Sequence, residues 1–134
     1  MKLFTAQFSK IPIYKKHFFE NVPPLSISFA NEKLSRMGFD VVTIDGSVDR
    51  NEAREAVGDR TGLQGNYDPK ELIFANGKTV DTVKESAKKM LKDLGPQRLI
   101  ANLGEGLGGK ESPTLVKAFI DAIHEESELM ISDS

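Results

Sequence analysis

A short apolar run, a glycine-rich turn and a helix-forming stretch together form the feature that most restricts the fold of this chain. The run is Leu99–Leu103, the turn covers residues 104–109, and the helix-forming stretch begins at Ser112-Pro113. The same order of strand, polar turn and helix occurs three times earlier in the sequence. Strands that alternate with helices favour parallel pairing with right-handed crossovers. The sequence therefore predicts an α/β fold with about four βα units.

Apolar periodicity and capping residues set the expected element boundaries. Strands are predicted at 25–29, 39–44, 61–65 and 98–103. Helices are predicted at 30–37 and Arg50–Val57, in a short turn at Pro69–Leu72, after the cap Thr79 as far as Gly95, and from Pro113 onward. The last helix should bury one stripe, formed by Leu115, Val116, Phe119, Ile120 and Ile123, while 125–134 is expected to fray as an acidic tail.

Composition excludes several classes of protein. The chain has 134 residues and a formal net charge of -2, so no basic field favours nucleic acid or an acidic membrane surface. Cysteine is absent and only two histidines occur, which makes a metal site improbable. The sequence has no apolar run typical of a signal peptide or a membrane helix, so we expect a soluble, cytoplasmic protein.

Two parts of the chain differ in composition. Residues 1–22 are rich in aromatic side chains and contain Pro12, which predicts one or two short helices that pack on the rest. Residues 23–134 carry the βα units. Neither linker nor low-complexity sequence separates the units of this second part.

Polar residues follow the predicted strands, where folds of this class keep their chemistry. The candidate ligand-contacting residues are Asp45, Gln64, Asn66, Asn102 and Glu105. Each also has a structural interpretation: Asn66 suits a turn ahead of Pro69, Asp45 suits a cap, Asn102 suits a tie between strand ends, and Gln64 suits a filling role inside the sheet. No arginine falls on these turns, so the predicted rim is acidic.

Several motifs carry a family resemblance. The chain reads FDVVTID at 39–45, VGDR at 57–60, LQGNYDP at 63–69, GPQRLIANLG at 95–104 and VKAFIDAIH at 116–124. In order and spacing these motifs resemble the carboxyl-terminal half of the uroporphyrinogen decarboxylase family, from about Val22 to Leu129.

The resemblance implies a fold and an activity. The family fold is an eight-stranded (β/α) barrel, so this chain would form half of a TIM-type (β/α) barrel. The family reaction converts uroporphyrinogen III to coproporphyrinogen III in porphyrin and haem biosynthesis, and it needs no cofactor. The family's substrate-binding arginines and its aspartate lie outside the matched part, and Glu105 occupies the position of the histidine in the family's NLGHG turn. The resemblance thus implies a truncated relative that is inactive alone, with a tetrapyrrole as its possible ligand.

Half a barrel leaves an inner sheet face bare and two strand edges unpaired. We therefore expect either a homodimer or a partner that completes the barrel, or coverage of the face by residues 2–22. A second functional hypothesis is a non-catalytic binding module that uses the open face or the acidic rim. A third is an incomplete gene product, with Met1 internal to a longer enzyme.

Overall fold

The computed structural model describes Arg36 and residues 38–134. Its strands and helices are, in chain order, β1 (Val41–Thr43), α1 (Arg50–Val57), β2 (Gly62–Tyr67), two 3-10 turns (Pro69–Leu72 and Phe74–Asn76), α2 (Val80–Leu94), β3 (Leu99–Leu103) and α3 (Pro113–Ser132). The predicted segment 1–22, the strand 25–29 and nearly all of the helix 30–37 lie outside the described residues.

The three strands form one open parallel sheet in the order β1-β2-β3. Val42, Leu63 and Leu99 stand side by side in the register, and so do Thr43, Gln64 and Ile100. Each strand is followed by a helix, as the sequence predicts for βα units. This α/β arrangement is consistent with part of a barrel.

Local capping explains where the helices begin. Asp49 Oδ1 accepts from the backbone N–H of Glu52 at 3.0 Å, and Ser112 Oγ accepts from that of Thr114 at 3.2 Å. Thr79 and Thr82 exchange side-chain and backbone hydrogen bonds in a capping box. These contacts satisfy N–H groups that a helix start leaves without partners. The predicted starts of α1, α2 and α3 are confirmed.

The core lies between the helices and one face of the sheet. Val42, Leu63 and Tyr67 supply the strand side, and α2 and α3 supply buried side chains opposite them. The ring of Tyr67 lies 4.2 Å from that of Phe119, between centroids. Its hydroxyl is 2.6 Å from Ser86 Oγ, so the buried phenol has a hydrogen-bond partner. Burial raises the pKa of Tyr67, which keeps the hydroxyl neutral.

Arg54 connects backbone segments at the end of the sheet where β2 and β3 begin. Its Nε donates to the carbonyl of Leu94 at 2.6 Å, and its terminal nitrogens approach the carbonyls of Gly58, Thr61 and Arg98 at 3.3–3.4 Å. These carbonyls belong to the ends of two helices and the entries of two strands. Burial lowers the pKa of Arg54, and the charge of Asp59 opposes that effect.

Two expectations about β2 and α3 are wrong, and a third is wrong at one residue. Asn66 lies inside β2 and is buried, because its amide bonds to the turn after β1 rather than to a local turn. The predicted acidic tail is helical as far as Ser132. The predicted buried stripe is confirmed in part: Leu115 and Phe119 are buried and Val116 and Ile123 pack against the core, but Ile120 is 47% exposed, and Ala118 and Ala122 are buried in addition.

Replacing Arg54 with methionine should destabilise the fold. The change keeps much of the side-chain volume but leaves four backbone carbonyls without this donor, so we expect a loss of about 2 kcal/mol in the free energy of unfolding. Urea denaturation measures it. The matched control is Arg60→Met at an exposed site, where the change should stay within about 0.5 kcal/mol. Equal stability of both variants would show that Arg54 does not have this structural role.

Candidate functional site at the carboxyl ends of the strands

The turn that follows β1 crosses the end of β2 and reaches the turn that follows β3. A Cβ atom added to Gly104 would lie 2.6 Å from the backbone nitrogen of Gly46, so the two backbones are in close contact. The N–H of Gly104 also donates to the carbonyl of Tyr67 at 2.8 Å. These contacts bring the predicted residues Asp45, Asn66 and Glu105 to one rim of the sheet.

Asn66 holds this rim together. It is 4% exposed, and its Nδ2 donates to the carbonyls of Asp45 and Val48 at 2.8 and 3.0 Å. Its Oδ1 accepts from Arg50 Nε at 2.8 Å. The Asn66 amide therefore bonds to two carbonyls in the turn between β1 and α1 and to Arg50 at the start of α1, and these contacts position that turn.

The Asp45 carboxylate shapes the same turn. Its Oδ1 accepts from the backbone N–H of Ser47 at 2.8 Å and from the Ser47 hydroxyl at 2.5 Å. An aspartate that bonds two residues ahead in this way stabilises a turn. Oδ1 of Asp45 is thus engaged inside the turn.

Gln64 and Asn102 lie on β2 and β3. Gln64 is half-buried in the row that contains Thr43 and Ile100, away from the helices. Asn102 is exposed, and its Oδ1 accepts from the backbone N–H of Leu103 at 2.8 Å. Thr43 Oγ1, in the row of Gln64, is buried without a hydrogen-bond partner. The sheet face away from the helices, which we call the open face, therefore carries polar side chains that can form further hydrogen bonds.

Glu105 and Glu111 have different roles in the glycine-rich loop. Glu105 is exposed, and within the described residues its carboxylate makes no hydrogen bond or ion pair. Glu111 accepts from the backbone N–H groups of Gly108, Gly109 and Lys110 at 3.0, 2.8 and 3.1 Å. These backbone hydrogen bonds lower the pKa of Glu111. Glu111 closes the loop, and Glu105 is left to meet solvent or a ligand.

One arginine reaches the rim although it lies on a helix. Arg50, in the first turn of α1, bonds to Asn66 and lies 3.8 Å from a carboxylate oxygen of Asp93. Sequence reasoning missed it, because a position inside a helix does not reveal that the side chain reaches the strand that follows that helix. A cleft of about 250 Å³ adjoins it, and its charged lining residues are Arg50, Lys89, Asp49, Asp68 and Asp93. With three carboxylates and two cations, the lining of this cleft has a net negative charge, which does not favour the binding of a polyanion.

Among the described residues, no three or more histidine and acidic side chains gather as metal ligands would. In the same part of the chain, no helix is both long and apolar enough to cross a membrane.

Asn66→Asp should loosen the rim. The aspartate can still accept from Arg50, but it places a carboxylate oxygen against two carbonyls that had received N–H donors. We expect a loss of about 2–3 kcal/mol in the free energy of unfolding, measured by urea denaturation. Asn51→Asp is the matched control, because Asn51 is exposed in the first turn of α1. A negative charge is tolerated there. Similar stability of the two variants would contradict this role of Asn66.

Glu111 should control the glycine-rich loop as a function of pH. Because its folded-state pKa is lowered, its contribution is complete above the pKa of the unfolded chain and is lost as the pH falls through the folded-state pKa. In an NMR titration, the amide signals of Gly108 and Gly109 should move with a midpoint below the ordinary glutamate value. The variant Glu111→Gln should lack that transition. A midpoint at or above the ordinary value would contradict the loop contact.

Comparisons with known proteins place these features in a family. The family model described as "Uroporphyrinogen decarboxylase (URO-D)" matches residues 24–126. The chain is 43% identical over 102 residues to the uroporphyrinogen decarboxylase of Homo sapiens, across 76% of this chain and 27% of the relative. It is 36% identical over 102 residues to that of Salinibacter ruber, across 76% and 28%. The relative from Danio rerio is 33% identical over 121 residues, across 87% and 32%.

The matched segment covers most of this chain but less than one third of each of these relatives. The motifs at 39–45, 63–69 and 95–104 all fall within the family match. The three parallel strands that these motifs form agree with the α/β class expected from the resemblance. The chain belongs to the uroporphyrinogen decarboxylase family.

Proposed function

We propose that this chain supplies a carboxyl-terminal part of a uroporphyrinogen decarboxylase barrel in porphyrin biosynthesis and has no activity alone. Its partner in that activity is a polypeptide that carries the rest of the barrel. The observation that carries the proposal is the family match of residues 24–126, which spans only 27% of the human relative. The proposed reaction is the one named for the family, the decarboxylation of uroporphyrinogen III to coproporphyrinogen III.

The chemistry of that reaction explains why part of a barrel is not enough. A carboxylate leaves an acetate side chain as CO₂ only if the pyrrole stabilises the electron pair left behind, and a proton then completes the methyl group. The substrate carries eight carboxylates, for which arginines are suitable bidentate partners. Arg50 is the arginine that reaches the rim among the described residues, and Asn66 and Asp93 already contact it.

The rim residues take separate roles in this proposal. We assign contact with the tetrapyrrole to Gln64 and Asn102, since both amides lie on the strands and are not fully buried. Asp45 and Asn66 keep the rim in shape through their contacts within it. Glu105 opposes binding, since two like charges 4 Å apart repel each other by about 1–4 kcal/mol depending on the local dielectric.

A second candidate is a non-catalytic interaction module, either a homodimer or a chain that docks a partner through its open barrel face. The observation that favours it is Ile100, a large apolar side chain that is 43% exposed on the sheet face opposite the helices. This candidate uses the same surface but requires no substrate. It also accommodates Glu105 at the position where the family resemblance implies a histidine.

An anaerobic assay for coproporphyrinogen tests the proposal. We expect no turnover from the purified chain, and none from Glu105→His, because a histidine cannot replace the missing cationic pocket. Adding a human relative from which the matched 102 residues have been removed should give turnover with the unaltered chain, and faster turnover with Glu105→His, because that change removes a like charge from the rim. Turnover by the chain alone would overturn the proposed division of the active site. A fully assembled barrel that stays inactive with Glu105→His would favour the interaction module.

A further inference from the structure

Arg98 has an unusual backbone conformation at the entry to β3. Its φ is 56°, in the left-handed region, and among the described residues the other six positive φ angles all belong to glycines. A side chain at such a φ crowds its own backbone, so arginine costs free energy where glycine would not. A residue held against its intrinsic preference in this way is a reason to look for a function of its side chain.

Backbone contacts, not side-chain contacts, hold this conformation. The carbonyl of Arg98 accepts from the backbone N–H of Leu63 at 2.9 Å and from Arg54 Nη2 at 3.3 Å. A glycine at this position would form both contacts equally well. Arg98 is exposed, and its guanidinium makes no hydrogen bond or ion pair within the described residues. In that part of the chain, the fold gains no contact from the guanidinium that offsets the strain.

Arg98 lines a cleft of about 760 Å³. The end of α2, the turn that leads into β3 and the end of α3 all border it. Pro96 and Met130 are half-buried there and supply apolar surface. The cleft lies at the end of the sheet where β2 and β3 begin, whereas Glu105 and the glycine-rich loop lie at the other end. We name it the lower cleft.

The charges at the lower cleft favour an anion. Its cationic lining residues outnumber its acidic ones, and the set is Arg54, Lys92 and Arg98 against Asp59 and Asp93. Asp93 is already paired, since its Oδ2 lies 2.6 Å from Lys89 Nζ. Lys92 and Arg98, in contrast, make no ion pair within the described residues. A pair of cations without partners attracts a negatively charged ligand.

Arg54 and Arg98 contribute to the lower cleft in different ways. Arg54 directs its donors at backbone carbonyls, so it adds positive charge rather than a free hydrogen-bonding fork. Burial lowers the pKa of Arg54, and the nearby positive charge of Arg98 lowers it further, while Asp59 raises it. The two guanidinium groups therefore repel each other. An anion beside them relieves that repulsion, and the planar fork of Arg98 suits the two oxygens of a carboxylate.

We propose that the lower cleft binds a small organic anion with a carboxylate head and an apolar body. Arg98 and Lys92 bind the carboxylate, Arg54 adds charge, and Pro96 and Met130 contact the apolar body. The bound anion connects the ends of α2 and α3 to the entry of β3, which stabilises the folded chain. This site is independent of the proposed decarboxylation, because it uses none of the rim residues.

NMR titrations of the chain with benzoate test the site, because benzoate joins a carboxylate to an apolar ring. Benzamide is the neutral comparison, and inorganic phosphate is an anion without an apolar body. Benzoate should move the amide signals of Gly95, Gln97 and Arg98 and leave those of Gly106 and Gly108 in place. It should bind about tenfold more tightly than benzamide, which cannot form a charge-assisted pair, and more tightly than phosphate.

Arg98→Gly separates ligand binding from folding. The change removes the fork and relieves the left-handed strain, so benzoate should bind about tenfold more weakly. The melting temperature of the free chain should stay the same or rise. Lys92→Ala should also weaken benzoate binding, by a smaller factor. Lys84→Ala is the matched control, because Lys84 is exposed on α2 outside the cleft and carries the same charge. It should bind benzoate as the unaltered chain does.

The outcomes separate a ligand site from a structural role of Arg98. Weak benzoate binding by Arg98→Gly with an unchanged or higher melting temperature supports the site. Equal benzoate affinity of Arg98→Gly and Lys84→Ala, or benzamide or phosphate binding as tightly as benzoate, would overturn it. So would signal changes confined to the glycine-rich loop. A melting temperature of Arg98→Gly lower by more than about 3 °C would show that the side chain supports the fold instead.

Discussion

A parallel sheet needs cover on both faces, and in the described part of this chain the helices cover one. Val42, Leu63 and Leu99 meet the helices, while Ile100 is half-exposed on the other side. The buried hydroxyl of Thr43, which has no hydrogen-bond partner, lies on that second side as well. This asymmetry leaves one sheet face without helix cover in the described residues, and in the proposed function the rest of the barrel continues from that sheet.

Much of the fold could be predicted from the sequence because its signals are local. Asp49, Thr79 and Ser112 each cap a helix through a backbone group two or three residues away, so a short window of sequence contains both partners. Asn66 is the contrary case. Its position before Asp68-Pro69 resembles a turn, but its partners lie 16 to 21 residues away. Only the pairing of β1 with β2 brings them together, and no local pattern encodes that pairing.

The last helix shows a different limit of sequence patterns. Apolar spacing correctly predicts a helix from Pro113, but it does not fix the centre of the buried face. Ala118 and Ala122 take that centre because small side chains permit close packing, which leaves Ile120 at the margin. The charged run after Ile123 suggests fraying, yet the pair between Glu126 and Lys88 anchors it to α2. Of the five residues predicted to be buried, four are buried or pack against the core, and Ile120 is exposed.

Two kinds of residue lie at the rim: those that hold its turns in place and those that are free to contact a ligand. Asp45, Asn66 and Glu111 direct their polar atoms at nearby turns, so their geometry does not depend on a bound molecule. In the proposed function, a rim held in this way would need no rearrangement when the rest of the barrel binds, which would lower the entropic cost of assembly. Glu105 stands apart, because it is exposed and, among the described residues, no hydrogen bond holds it. In the proposed function its charge therefore acts on the ligand rather than on the fold. A change at this position would then alter which ligand the assembled barrel binds without altering whether the barrel forms.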